Sequence, residues 1–251
     1  MSSSAETPTG SRAGSADPAD LSRAHHEETA MTTFQTTGPI TATVDIACGT
    51  VTFIAADRSD TVVEVLPTDP AKGRDVKAAE QVTVEFADGA LRIESPQPRN
   101  QYFGSSGSLE VTVHLPAGSH VEANTDSCEL RGVGRLGDVH FDGAYRRIAL
   151  DEAASLHLTA VDGDVEVGRV AGPAQITTAR GAIRIGEAVR GALVLSTRTG
   201  DITVGAAPGV SASLDADTGK GRISNALRNN GTTELDIHAT TTQGDISAFS
   251  R

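Results

Sequence analysis

From residue 38 onward the chain alternates β-branched or aliphatic residues with polar ones. ITATVDIA, TVTFIA, TVVEVLP, VTVEFA, LRIES and LEVTVHLP all follow this period of two, the signature of strands buried on one face. Gly49, Asp88-Gly89 and the stretch from Pro67 to Pro70 punctuate them, supplying the backbone turns that end a strand. Gly73 to Gln81 breaks the alternation: Val76 and Ala79 sit among Lys, Arg and Glu, which predicts one short surface helix. Residues 95–108, SPQPRNQYFGSSGS, have turn composition and carry Tyr102 and Phe103; they read as an excursion from the body. Before the strands, residues 1–30 are Ser/Ala/Thr/Glu/Pro-rich with Leu21 as their one strong hydrophobe besides Met1. Such a segment is expected to stay a disordered tail, because it cannot offset the entropy of ordering. Met31, opening MTTFQ, offers a second start.

After Val121 the pattern repeats. The chain divides into seven segments, 121–138, 139–155, 156–173, 174–192, 193–211, 212–233 and 234–251. Most show a short apolar alternation, a turn and a second apolar pair. Leu193, Leu195 and Thr197 precede Gly200-Asp201, then Ile202 and Val204 follow; Leu235, Ile237 and Ala239 precede Gly244-Asp245, then Ile246 and Ala248 follow. Short strands at this spacing are what stacked coils require, since one coil has too little apolar surface to fold alone. The expected fold is therefore all-β, a parallel and right-handed β-solenoid; an antiparallel sandwich or barrel of the same strands is the alternative. Gly163, Gly181, Gly200, Gly221 and Gly244 are the expected structural corners. Residues 31–120 form an N-terminal β-strand region with the helix, and 121–251 a seven-coil solenoid continuous with it.

Composition changes the picture in two ways. The 21 Val, 15 Leu, 12 Ile and 6 Phe make 54 of 251 residues, so any core must be thin. The formal net charge is −12, tryptophan is absent and aromatics are 3%. That balance disfavours nucleic acid, which needs cations for phosphate and rings for stacking. No stretch approaches the length of a transmembrane helix. No basic n-region with an apolar core is legible, so the sequence as written reads as cytoplasmic.

The strand ending in LPAG (Leu115 to Gly118), followed by DGDVEVG (Asp162 to Gly168) and TGDITVG (Thr199 to Gly205), resembles the bacterial β-strand-repeat family called domain of unknown function 4097, also labelled as candidate adhesins. The resemblance spans about residues 40–251. It implies a β-solenoid-like fold and a surface or adhesive role; it implies no catalytic residues.

Several motifs have a bland explanation in the repeat. Gly132 to Gly137 matches G-x-G-x-x-G but runs into the strand Val139-His140-Phe141 instead of a helix, so no helix N-terminus faces a phosphate. Asp217-Thr218-Gly219 spells an aspartic-protease loop, yet the preceding repeat reads Arg198-Thr199-Gly200 and gives no second aspartate. The corner column in chain order is Glu129, Arg147, Asp164, Ala182, Asp201, Arg222, Asp245, too mixed in sign for a calcium array. Of the seven histidines, His140 and His157 fall at matching outward positions of successive coils; without a third ligand they read as surface filling. Cys48 and Cys128 read as partly exposed thiols without an activating base. Asn230-Gly231 is a turn signal.

No catalytic residue, cofactor or metal site is expected. The favoured function is a non-catalytic structural or interaction protein presenting solenoid faces to a protein partner or to itself, with Tyr102, Phe103, Arg180 and Arg198 as candidate partner surface. The N-terminal strands are expected to cap one end, and Phe249 or self-association the C-terminal end. The alternative is a β-helix enzyme or binding module acting on acidic polysaccharide, for which Arg146, Arg147, Arg180 and Arg198 would supply the charge and Tyr102, Phe103 and Tyr145 the rings.

Overall fold

A computed structural model describes residues 30–96, 107–143 and 147–251; the tail, Tyr102, Phe103, Tyr145 and Arg146 lie outside the described residues. The N-terminal part comprises β1 (Ala30–Gln35), β2 (Thr41–Ala56), β3 (Asp60–Pro67), α1 (Gly73–Glu80), β4 (Thr83–Ala87), β5 (Ala90–Glu94) and β6 (Leu109–Pro116). There follow β7 (His120–Asp142), β8 (Ile148–Asp162), β9 (Val165–Val170), β10 (Ala174–Arg180), β11 (Ile183–Ala188), β12 (Gly191–Thr199), β13 (Ile202–Ala206), β14 (Ala212–Lys220), β15 (Ile223–Ala226), β16 (Leu235–Gln243) and β17 (Ile246–Ser250).

The parallel solenoid is present, and each coil contributes to two walls. Wall A stacks the first part of β2 on the start of β7, then the end of β7 on β8, then β10 and β12. Wall B stacks the second part of β2, the middle of β7, the start of β8, β9, β11 and β13. Because the strands are parallel and in register, equivalent side chains stand above one another. Leu130, Ile148, Val165, Ile183, Ile202 and Ile246 form one continuous inward column, each at most 1% exposed. Such a column removes aliphatic surface from water at roughly 25 cal/mol per Å², which is how a chain with few hydrophobes fills its core.

The order of the coils departs from chain order. β12 pairs with β16, and β14 pairs with the other side of β16; likewise β17 lies between β13 and β15. Residues 235–250 therefore insert between the two coils that precede them. The expectation of a C-terminal coil at the end of the stack is corrected: the terminal rung is β14–β15, and Phe249 lies beside Gly205 and Ala226 in the interior of wall B. The cause is compositional. At inward positions β14 and β15 carry Ala212, Leu214 and Asn225 opposite Leu235, Ile237 and Ala248 of β16 and β17, so they lose less than that coil would by standing at an edge. The return loop is built on asparagines, where Asn229 Oδ1 accepts from Gly231 N–H at 2.8 Å and Asn230 Oδ1 from Thr232 N–H at 3.1 Å, the local hydrogen bonds of Asx turns.

At the opposite end the pairing becomes antiparallel. β6 pairs with β3 and β3 with β1, while β5 pairs with β4. Phe34 of β1 and Phe86 of β4 stack with centroids 5.1 Å apart, closing the core across the two walls. The helix α1 packs beside β3 and β6, with buried Asp75 accepting from Ser108 N–H at 3.1 Å.

Candidate functional site

The corner between walls is a vertical seam. Gly163, Gly181, Gly200, Gly244 and Gly221 stack in that order, each approaching the carbonyl of its predecessor. Within the seam the hydroxyls of Thr197, Thr241 and Thr218 donate to the carbonyls of Gly181, Gly200 and Gly244 at 3.0–3.1 Å. The corner aspartates act the same way along the stack. Asp164 accepts from Ala182 N–H, Asp201 from Asp245 N–H and Asp245 from Arg222 N–H, each at 2.8 Å. The stacking order revises the corner column, since Asp245 lies between Asp201 and Arg222. Hydrogen bonding to the Arg222 guanidinium, reinforced by its charge, holds the Asp245 carboxyl below the usual carboxylate range. These carboxylates staple one rung to the next; among the described residues no cluster of three His, Cys, Asp or Glu side chains could hold a metal ion.

The outer side of wall B is a field of rung-to-rung ion pairs. Arg147 meets Glu166, Arg169 meets Glu187 at 2.5 Å, and Arg184 meets Asp164 at 3.7 Å. Each exposed pair contributes little stability, but together they leave this face with compensated charge. The predicted arginines do not assemble. Arg180 is held by Asp162 at 2.8 Å and pairs in register with Thr199, so Arg198 falls one position out of its column. A cluster suited to an acidic sugar is therefore not built from Arg147, Arg180 and Arg198.

Wall A is different. Its outer face carries a shallow groove of about 600 Å³ lined by His120, Glu122, Asp138, His140, Ser155, His157, Gln175 and Val194, among others. In-register stacking makes its central strip: His140 pairs with His157, His157 with Gln175, Gln175 with Val194 and Val194 with His238. The imidazoles of His140 and His157 lie face to face, with centroids 4.8 Å apart and planes inclined by 5°. Val194 is 45% exposed at the next rungs, an apolar side chain left open between polar ones. Along the groove margin the Ser155 hydroxyl donates to Asp138 at 2.5 Å, and Asp138 lies 3.2 Å from His120 Nδ1. The serine donates to the carboxylate and not to the imidazole, so the hydroxyl-to-imidazole-to-carboxylate order of a nucleophile relay is not built by this trio. The matching histidines were legible from the repeat; the groove was missed because it needs Glu122, Gln175 and Val194 as well, whose shared column shows only when segments are aligned coil by coil.

The two thiols also separate. Cys128 is fully buried, and burial pushes its thiol up to about 12, which corrects its reading as a partly exposed group; Cys48 is half-buried. Because the thiolate is the reactive form, a disulfide-exchange reagent at pH 8 is expected to label Cys48 in the native protein and Cys128 only on unfolding. Equal labelling of both, read by peptide mass spectrometry, would contradict this placement.

Among the described residues no helix is long and apolar enough to cross a membrane. The sequence profile of the family described as Toastrack DUF4097 matches residues 42–251. Similar solved structures include a protein described as a candidate adhesin from Bacteroides fragilis, 14% identical with a TM-score of 0.42, the match covering 88% of this chain and 97% of that one. Another is described as a candidate lipid binding protein from Parabacteroides distasonis, 12% identical with a TM-score of 0.39, covering 88% and 97%. A third, described as a candidate cell adhesion protein from Clostridium sporogenes, is 11% identical with a TM-score of 0.31, covering 89% and 100%. No curated protein matches the chain.

Proposed function

We propose that this chain, which belongs to the Toastrack DUF4097 family, is a non-catalytic, adhesin-like interaction protein that holds a protein partner against the groove of wall A. The observation that carries this reading is the central strip of that groove. Stacked His140 and His157 give a flat, polarisable surface, Gln175 a donor and acceptor, and Val194 an uncovered apolar contact. Mixed apolar and hydrogen-bonding groups on a pre-formed surface are what protein recognition uses. The strip stands on register-locked parallel strands, so little conformational entropy opposes binding there. Wall B supports the contrast, because its charged groups already satisfy one another across rungs.

The test places a photoreactive side chain at position 175 and, separately, at position 184 on wall B, in cells that produce the protein. A discrete protein adduct is expected from position 175, and it should vanish when Val194→Asp is added without a change in melting temperature. Adducts of equal yield from both walls, or from neither, would remove wall A as the binding surface.

A further inference from the structure

The terminal rung differs from every other parallel rung. Among the described residues β14 pairs only with β16, and β15 only with β17; one side of each therefore presents unpaired backbone N–H and C=O groups, apart from Ala212 N–H, which donates to the Arg228 carbonyl at 2.9 Å. The aliphatic column of wall B also ends here. Ile223 continues it beyond Ile246, yet is 48% exposed, whereas Ile246 is 1% exposed. Leu214, Ala216 and Leu227 are only partly covered. The far end of the stack has its core closed by β1, β4 and the Phe34–Phe86 pair. One open end and one closed end favour a contact that uses the same surface twice over a head-to-tail chain of copies.

We infer that the β14–β15 rung is the contact of a two-fold, end-to-end dimer with a second copy of this chain, in which β14 of each copy pairs antiparallel with β15 of the other. A two-fold axis perpendicular to the stack offers two ways to pair β14 antiparallel. An axis normal to wall A sets β14 against its own copy, bringing Asp215 and Asp217 onto Asp217 and Asp215. An axis through the corner between the walls sets β14 against β15 and reverses their directions, so both strands of each copy are paired. The charges select the second arrangement. The acids Asp215 and Asp217 lie on β14, while Arg222 and Arg228 bracket β15. Arg222 is neutralised by Asp245, and Asp215 lies 3.3 Å from His238 Nδ1, but neither Asp217 nor Arg228 has an ion-pair partner among the described residues. Like charges directly opposite on paired strands destabilise, and opposite charges stabilise. The contact covers Ile223 and the unpaired edge, and leaves the wall A groove open on both copies. It stands independently of the partner reading, although two grooves on one particle would strengthen attachment by avidity.

Sedimentation of the full chain from about 5 to 500 µM (a span chosen to bracket weak and moderate self-association) is expected to show a species of twice 25.8 kDa. Asp215→Arg with Asp217→Arg sets arginines against Arg228 and should weaken the dimer at least about tenfold; Arg228→Asp sets acids against acids and should do the same. Mixing the two variant chains restores opposite charge at both pairings and should restore the dimer as a heterodimer. Melting temperature confirms that each variant is folded. A wild-type chain that stays monomeric throughout overturns the inference, as does Arg228→Asp leaving dimerisation unchanged. A mixture of the two variants that remains monomeric removes the β14–β15 arrangement.

Discussion

A chain ending at residue 233 loses order well upstream of the cut. Hydrogen exchange across residues 212–226 is expected to become nearly unprotected, while residues 148–188 keep native protection. In a solenoid stacked in chain order, removing the last coil would expose its neighbour and leave that neighbour paired. Here, among the described residues, β16 and β17 are the sole ladder partners of β14 and β15, so the deletion removes the ladder hydrogen bonds that hold those strands. It also removes Leu235, Ile237 and Ile246, each at most 1% exposed, at about 1.5–3 kcal/mol of burial apiece. That loss is comparable with the whole stability of an ordinary domain. Retained protection at 212–226 in the shortened chain would show that β14 can pair directly with β12, contradicting the inserted order.

The second large effect belongs to the corner seam. Gly200 has φ +151°, and a Cβ there would lie 2.0 Å from the carbonyl oxygen of Gly181 and 2.4 Å from its carbon. Both contacts are backbone in a tight parallel ladder, so neither can swing aside as a flexible side chain would. Gly200→Ala is expected to cost about 3 kcal/mol or more, combining backbone strain with a displaced rung, which corresponds to a fall of roughly 6–12 °C in Tm for a chain of this size. Gly209→Ala provides the control. It also has positive φ, +81°, but no atom lies within 4 Å of its Cβ position, so only the conformational cost of about 1 kcal/mol remains. Equal shifts for the two variants would show that strain alone, and not the close approach of rungs, governs the seam.

The contrast between these two results also shows which features a repeat sequence discloses. Strands, corners and inward columns follow from local alternation: the residues that build the Ile183–Ile202 step can be read one coil at a time. The inserted order depends on which edge pairs with which, and parallel strands of nearly equal pattern can pair in several orders. The signs that did exist were quantitative. Segment 212–233 is the longest of the repeats, and it carries Asn225 where its neighbours carry Val204 and Ala248, marking a coil suited to an edge. The groove was legible only in part for a similar reason. His140 and His157 match by identity, whereas Gln175 and Val194 share their column by register alone. The antiparallel closure through β3 and β1 gave no local signal, because half-buried strands alternate alike in either direction.

The insertion of β16 and β17 reaches back to protein synthesis. A solenoid built in chain order can add each coil as it leaves the ribosome, every new strand finding its template already waiting. In this chain that progression halts after β13: β14 and β15 emerge next, but the strands they must lie against have not yet been made. They have to remain an unattached polar strand pair until another turn of chain emerges and slides between. The sparse apolar content that suits β14 and β15 to an edge in the finished molecule also keeps them soluble during that wait, when a more hydrophobic pair would be a target for aggregation.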